Sequence, residues 1–417
     1  MTQPSRLRLF QGYGVELEYM IVDRDSLEVR SISDELLKQE LGEYGSDFDN
    51  GMVTWSNELV THVIELKSTK PESDFEALQL SFQENVQLIN NILSEWNAML
   101  LPTAAHPFMD PGTETKLWPH DNNEVYAIYN KIFNCSGHGW SNLQSTHLNL
   151  PFADQAEFAK LHAAIRLILP LLPALCASSP ILDGKSTGFL DTRLTYYKSN
   201  QSSIPSITGQ IIPESIDSEA DYHELIFEKI KKDIAHFDHE NILDPIWVNS
   251  RGAITRFDRG SIEIRIMDVQ ECPSADLAII TLVNETLKAL VKEQFISHKE
   301  QMKWETTPLA ELLDKTIIAG PHAVFENAEY LKVFGITKKS ATAKEIWQTI
   351  INRHMKDGNE NLKRYISELN TIQEEGTLSD RILKSLGDDF SRENLKKVYK
   401  QLALCLKKNR MFLPTKI

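Results

Sequence analysis

Between Gly12 and Asp23 the chain alternates apolar with polar residues, and the alternation sorts side chains by chemistry. Tyr13, Val15, Leu17, Tyr19 and Ile21 fall on one face of a strand, with Glu16 and Glu18 together on the other. Successive strand side chains point to opposite faces, so the spacing alone fixes this division. Two further stretches repeat it. In SIEIRIMDV, Ile262, Ile264 and Ile266 oppose Glu263 and Arg265; in LQSTHLNL, Ser145, His147 and Asn149 oppose Thr146, Leu148 and Leu150. A fourth segment, NELVTHVIELKS, carries Glu58 and Glu65, which would face opposite ways in one unbroken strand. Either a loop or bulge intervenes or only one of the two joins the others.

Helical spacing predicts the rest. Ser73 and Glu76 form a capping-box pair around Phe75, Leu78, Phe82, Ile89, Leu93 and Trp96. Asp154 and Glu157 repeat that pair before Phe158, Leu161, Ile165 and Ile168, and Leu395, Val398, Leu402 and Cys405 trace a last stripe. Strands alternate with helices up to about Val269; beyond it the pattern is almost wholly helical. No fixed-period repeat and no Gly/Ser/Pro-rich linker divides the chain. The expected organisation is an antiparallel-sheet unit over 1–300 that carries the chemistry, with a helical region over 301–417 packed on it. Residues 197–220 are polar and turn-rich, and a loop of that length suggests an active-site lid.

Taken singly, each polar face reads as a solvated surface. Taken together on one sheet, they make a cluster of glutamates around a histidine. Like charges so close repel, and such a cluster persists with cations to neutralise it. Oxygen-rich donor sets with an occasional imidazole suit Mg²⁺ or Mn²⁺, and a neighbouring arginine suits phosphate. Metals and arginine on an open sheet are what phosphoryl transfer needs. The sequence has no GxxxxGK[ST], no GxGxxG after a strand, no HExxH and no GxSxG, so ATP would bind neither a P-loop nor a Rossmann turn.

Composition narrows the partners. The 417 residues include 44 basic and 59 acidic side chains, a net charge of −15. That balance disfavours sequence-independent nucleic-acid binding and docking on an anionic membrane. The N-terminal MTQPSRLRLFQ has no signal-peptide core, and the apolar stretch from Leu167 to Leu182 is broken by three prolines. Cys135, Cys176, Cys272 and Cys405 are scattered and form no CxxC pair, which favours a reducing, cytoplasmic setting. A homo-oligomer is compatible with all of this.

The ordered segments GVELE (14–18), ELVTHVIELKS (58–68), TAAHPF (103–108), QSTHLNL (144–150), LPLLPALCASSPILDGKSTGF (169–189) and RGSIEIRIMD (259–268) resemble the second family of glutamate–cysteine ligases, the carboxylate–amine ligases. The resemblance runs over roughly residues 12–290. It implies an α+β fold of the glutamine synthetase/guanido kinase type, a curved antiparallel sheet with helices on its convex face. It implies ATP-dependent activation of a carboxylate, that of glutamate first, as an acyl phosphate that an amine then attacks. Carried over, Glu16, Glu18, Glu58, Glu65, His147 and Glu263 match metal-binding positions, and Arg265 matches the arginine on the transferred phosphate. Arg193 and Arg251 match basic residues near substrate carboxylates or phosphates. The chain departs from the family at the histidine strand. HxHxG is common there, whereas this sequence has His147, Asn149 and Pro151, a change that bears on the substrates more than on the metal chemistry. Two rival expectations are a guanidino kinase-like phosphotransferase and an inert homologue that binds a nucleotide or amino acid.

Overall fold

The alternating segments become neighbours in a single antiparallel sheet. Its strands are β1 (Gly14–Asp23), β2 (Asp47–Asn50), β3 (Val53–Asn57), β4 (Val63–Ser68), β5 (Ala98–Leu101), β6 (Ser145–Pro151), β7 (Ala253–Arg256) and β8 (Ser261–Asp268). The structure, a computed structural model, describes residues 6–414. Strand order is β2-β3-β4-β1-β6-β8-β7, and β5 pairs with the last four residues of β1. Met20 pairs with Val63 of β4 and with Leu101 of β5. One edge of β1 therefore belongs to β4, and β6 and β5 share the other end to end.

The apolar faces build the main core. Tyr13, Val15, Leu17, Tyr19 and Ile21 join Leu148, Leu150, Ile262, Ile264 and Ile266 in one buried cluster with the helices behind the sheet. The helices that bear on the site and its packing are α1 (Phe75–Glu95), α2 (Asn123–Phe133), α3 (Gln155–Ile168), α4 (Thr192–Tyr197) and α5 (Pro273–Val291), followed by α6 (Thr306–Ala319), α7 (Ala343–Lys356), α8 (Leu378–Leu386) and α9 (Arg392–Lys408). In α5 every residue but Lys288 and Val291 is buried. An all-round apolar helix must be covered on all sides, and α5 contacts α1 and α3 as well as α7 of the C-terminal region. The cluster also takes in Leu309, Ile346 and Trp347, so core packing runs without a break from the sheet into the C-terminal helices. Among the described residues no helix is long and apolar enough to cross a membrane. All four cysteines are buried and unpaired.

The cap of α1 is one residue later than the sequence predicts. Asp74, not Ser73, accepts from the amides of Glu76 and Ala77, while the Ser73 amide binds Glu72. At α3, Asp154 does cap through the Glu157 amide, but the Glu157 side chain turns to the amides of Leu9 and Ala153 and completes no box.

The polar face of β1 is divided. Glu16 and Glu18 border open space, but Met20 and Val22, on the same face, are fully buried under α8 and α9 with Leu378, Ile382, Leu395 and Leu402. A strand apolar on both sides is one covered on both sides. Arg381 of α8 fastens this cover: it is fully buried, pairs with Glu271, and donates to the Phe412 carbonyl at 2.7 Å.

Under β6, Asp276 of α5 accepts from the Thr146 hydroxyl at 2.6 Å and the Gln270 amide at 3.0 Å, but its second oxygen has no partner. Burial drives its carboxyl up to about 8 despite those hydrogen bonds. In an unfolded chain an aspartate ionises near about pH 4. The native state binds the extra proton between those values, so this group removes stability as pH rises from about 4 to about 8. Asp276→Asn is expected to melt progressively higher relative to the wild type across that window. A difference in Tm that stays constant with pH would mean that Asp276 is ionised in the native protein.

Candidate active site

Strand register sets the site. Glu65 of β4 stands opposite Glu18 of β1, Glu16 opposite His147 of β6, and Asn149 opposite Glu263 of β8. Directly opposed residues share a face, so four strands contribute to one polar row. The row is hydrogen-bonded within itself. His147 Nδ1 lies 2.8 Å from Glu16, Asn149 donates to Glu16 at 2.9 Å, and the Ser145 amide and hydroxyl donate to Glu18 at 2.7 and 3.1 Å. The backbone at Gly14 makes room for Asn149. A Cβ there would stand 2.9 Å from the Asn149 Cβ, closer than side chains approach.

Glu58 lies just past the end of β3, in the turn into β4, so the break between Glu58 and Glu65 brings both to the same place. Burial raises Glu58 to about 7, with Glu18 adding repulsion; burial also raises Glu65 well above the carboxylate range, with Glu16 and Glu58 adding to it. Burial likewise opposes ionisation of Glu16, but His147 and Arg265 override it and hold the carboxyl at about 2. His147 is pushed down by burial and up, by more, by Glu16, Glu18 and Glu263.

Two sets of donor atoms converge: Glu16, His147 and Glu263 in one, Glu18, Glu65 and His147 in the other, each within 4.8 Å. The ring nitrogens of His147 face them separately, with Nδ1 3.6 Å from Glu263 and Nε2 3.7 Å from Glu18. The residues fit a hard divalent cation. Five carboxylates meet one imidazole, Arg265 and Lys67, and a buried Glu263 oxygen accepts no hydrogen bond although Arg265 Nε is 3.1 Å away. Oxygen donors with uncompensated negative charge are what Mg²⁺ or Mn²⁺ requires.

A β-bulge completes the arginine side. Ile264 pairs with Leu148 and Met267 with Thr146, so two residues of β8 face one of β6. The extra residue reverses the alternation and returns Asp268 to the face of Glu263 and Arg265. There Asp268, fully buried, holds Arg193 Nε at 2.5 Å. Alternation cannot reveal Asp268; an aspartate ending a buried strand was the available signal.

Arg251 stands elsewhere. Its Nε and Nη2 bind Glu214 at 2.6 and 2.7 Å, and its Nη1 binds the Ser206 carbonyl and Asn249. It borders neither cavity of the site and fastens the 197–220 segment instead. That segment is no open flap. Ile204, Ile207, Ile211 and Ile212 are buried in the core, and a mobile lid would have to bare them to water. It supplies Tyr197, Asn200 and Gln201 to a fixed wall.

Two cavities meet at Glu58, His147 and Arg265. The wider, about 1030 Å³, has Arg6, Lys67, Lys70 and Arg259 on its walls. The narrower, about 320 Å³, runs from Arg193 and Arg265 out between aromatic rings. Sequence patterning gave no sign of its main wall, α2, which buries none of its residues fully and turns Tyr126 and Tyr129 toward the space.

Glutamate-cysteine ligase family 2 matches this chain over residues 13–401. The chain belongs to that family. An uncharacterized protein of Archaeoglobus fulgidus is 32% identical over 403 residues, 96% of this chain and 100% of its own length. A Ruegeria pomeroyi protein provisionally named glutamate–cysteine ligase 2 is 27% identical over 62% of this chain and 60% of its own. Two solved structures share the fold. The bifunctional glutathione synthetase of Pasteurella multocida superposes with a TM-score of 0.57 at 14% identity, covering 96% of this chain and 53% of that one. The glutamate–cysteine ligase of Francisella tularensis, in complex with AMP, gives 0.59 at 12% identity, covering 94% and 88%. The fold of this family 2 member is thus the mixed α+β antiparallel sheet that the family resemblance implies, with the two faces that strand alternation predicts.

Proposed function

We propose that this protein joins a carboxylate, glutamate's γ-carboxylate first among candidates, to an amine with ATP as the driving substrate. One observation carries the reading: five carboxylates, a histidine and two arginines converge where a cation-lined cleft meets a smaller, aromatic-walled pocket. The cleft suits a polyphosphate, whose charge Arg6, Lys67, Lys70 and Arg259 would balance. Mg²⁺ or Mn²⁺, held by Glu16, Glu18, Glu65, His147 and Glu263 with Glu58 beside them, supplies charge neutralisation for phosphate oxygens when bound.

Arg265 stands at the junction of the two cavities, where its fork can hold the phosphoryl group as it moves. Arg193, oriented by Asp268, would hold the donor molecule's carboxylate. A carboxylate oxygen attacks the terminal phosphorus and ADP leaves. The amine nitrogen then attacks the acyl carbon, and phosphate leaves with the electron pair of the broken C–O bond. Of the two protons the ammonium sheds, one ends on phosphate and one is released.

With glutamate, ATP and magnesium but no amine, hydroxylamine is expected to trap a hydroxamate, and labelled carboxylate oxygen is expected in the released phosphate. A stable phosphorylated product without free phosphate would select the guanidino kinase-like alternative. Neither hydroxamate nor oxygen transfer with any carboxylate of a broad panel would overturn the ligase reading.

A further inference from the structure

The narrow cavity is chemically lopsided. Among the described residues, Arg193 and Arg265 are the only lysine or arginine side chains on its wall, and both stand at the inner end. Both already face acids: Arg193 binds Asp268, and Arg265 lies 3.1 Å from Glu263. At that end the Tyr197 hydroxyl is buried beside Arg265. Beyond the arginines the wall is aromatic, formed by Tyr126, Tyr129, Trp140, Tyr197 and Trp247. Tyr129 meets Trp140 edge to face with ring centroids 5.4 Å apart, and Phe133 stacks behind Trp140 at 5.5 Å, so the wall is braced. The charged groups interrupting it, Glu58 and Asp244, are acids.

We propose that the amine acceptor is a primary amine with a flat apolar body and no carboxylate, an arylalkylamine rather than an amino acid such as cysteine. The proposal rests on the ligase reading above. Once the donor carboxylate occupies Arg193 and the phosphoryl group occupies Arg265, no lysine or arginine on this wall is left for a second carboxylate. An acceptor carboxylate would lie against aromatic rings with the acids Glu58 and Asp244 near by and no lysine or arginine to pair with it. An ammonium meets the opposite conditions, since acids and aromatic faces both favour a cation. An aryl body would meet ring edges and faces along that wall. The chemistry balances as for any amine: nitrogen gains the acyl carbon, phosphate departs with the C–O electron pair, and two protons are lost.

The test compares acceptors under one donor. Full-length protein is given glutamate, ATP and magnesium with phenethylamine, tyramine, benzylamine, cysteine, alanine or phenylalanine, and amide and phosphate are both measured. Hydroxylamine in a parallel reaction reports carboxylate activation independently of the acceptor. The expected result is hydroxamate formation together with a kcat/KM for the arylalkylamines at least about tenfold above that for any amino acid. Phenylalanine is the sharpest comparison, because it is phenethylamine with a carboxylate added. If hydroxamate forms but cysteine, alanine or phenylalanine is preferred, the acceptor proposal is overturned and the ligase reading stands. If no carboxylate yields hydroxamate, both fall. Tyr129→Leu, a change at a half-buried ring, is expected to raise KM for phenethylamine about tenfold while KM for ATP holds. An unmoved phenethylamine KM would remove the aromatic wall from acceptor binding.

Discussion

Replacing Glu263 by Gln is expected to lower magnesium-dependent ATP turnover by about a thousandfold while the protein stays folded. Glutamine keeps the shape of the side chain and removes its charge. In the native cluster that charge faces His147 at 3.6 Å and Arg265 at 3.1 Å, with Glu16 in the same donor set. One acid fewer relieves repulsion among the buried carboxylates, so without divalent cation the melting temperature should hold or rise. Titrating magnesium should then separate the proteins. The wild type is stabilised by mass action as its donor atoms are filled, and the variant gains less at equal concentration. Wild-type turnover of Glu263→Gln at limiting magnesium would sink the metal assignment, however tightly the variant bound ATP.

Arg265→Lys should reduce kcat by about 10- to 100-fold and leave the KM for ATP nearly unchanged. Burial weakens a cation, but Glu263, with Glu16 and Glu18, holds Arg265 firmly charged. Lysine would keep that charge. It would lose the planar fork that meets two phosphate oxygens at once, and geometry counts most when the phosphoryl group is between donor and acceptor. The informative readout is the split: an effect on kcat places Arg265 at the moving group, and an effect confined to KM places it at the resting nucleotide. An unchanged kcat would remove Arg265 from the transfer step.

What the sequence makes legible follows from how local each signal is. Alternation is a property of consecutive residues, so the faces of β1, β6 and β8 could be assigned before any contact was known, and with them the row of Glu16, Glu18, His147, Asn149 and Glu263. Glu58 and Glu65 could not be reconciled by counting, because the turn between β3 and β4 is what brings them together. The bulge after Ile264 is invisible for the same reason: one inserted residue changes phase, and nothing in SIEIRIMDV marks where. Met20 and Val22 carried a signal that the glutamates beside them obscured, since apolar residues on both faces announce a second cover. Arg251 shows the opposite error. Its residue type suits an anion, but Glu214 supplies that anion from within the chain.

The position of β1 also has a consequence for the order of events during synthesis. The first strand of this sheet to leave the ribosome occupies its middle, and its partners arrive late. β4 and β5 are available once Leu101 has emerged, but β6 ends at Pro151, β8 at Asp268, and the helices over Met20 and Val22 lie between Leu378 and Lys408. Pairings so distant in sequence close slowly, because chain entropy must be lost before any contact forms. For most of translation, then, Glu16 and Glu18 lie beside an unpaired edge, and their charge discourages pairing with another nascent chain. The acids that gather in the finished site are thus the charges borne by the strand edge that stays open while the sheet is incomplete.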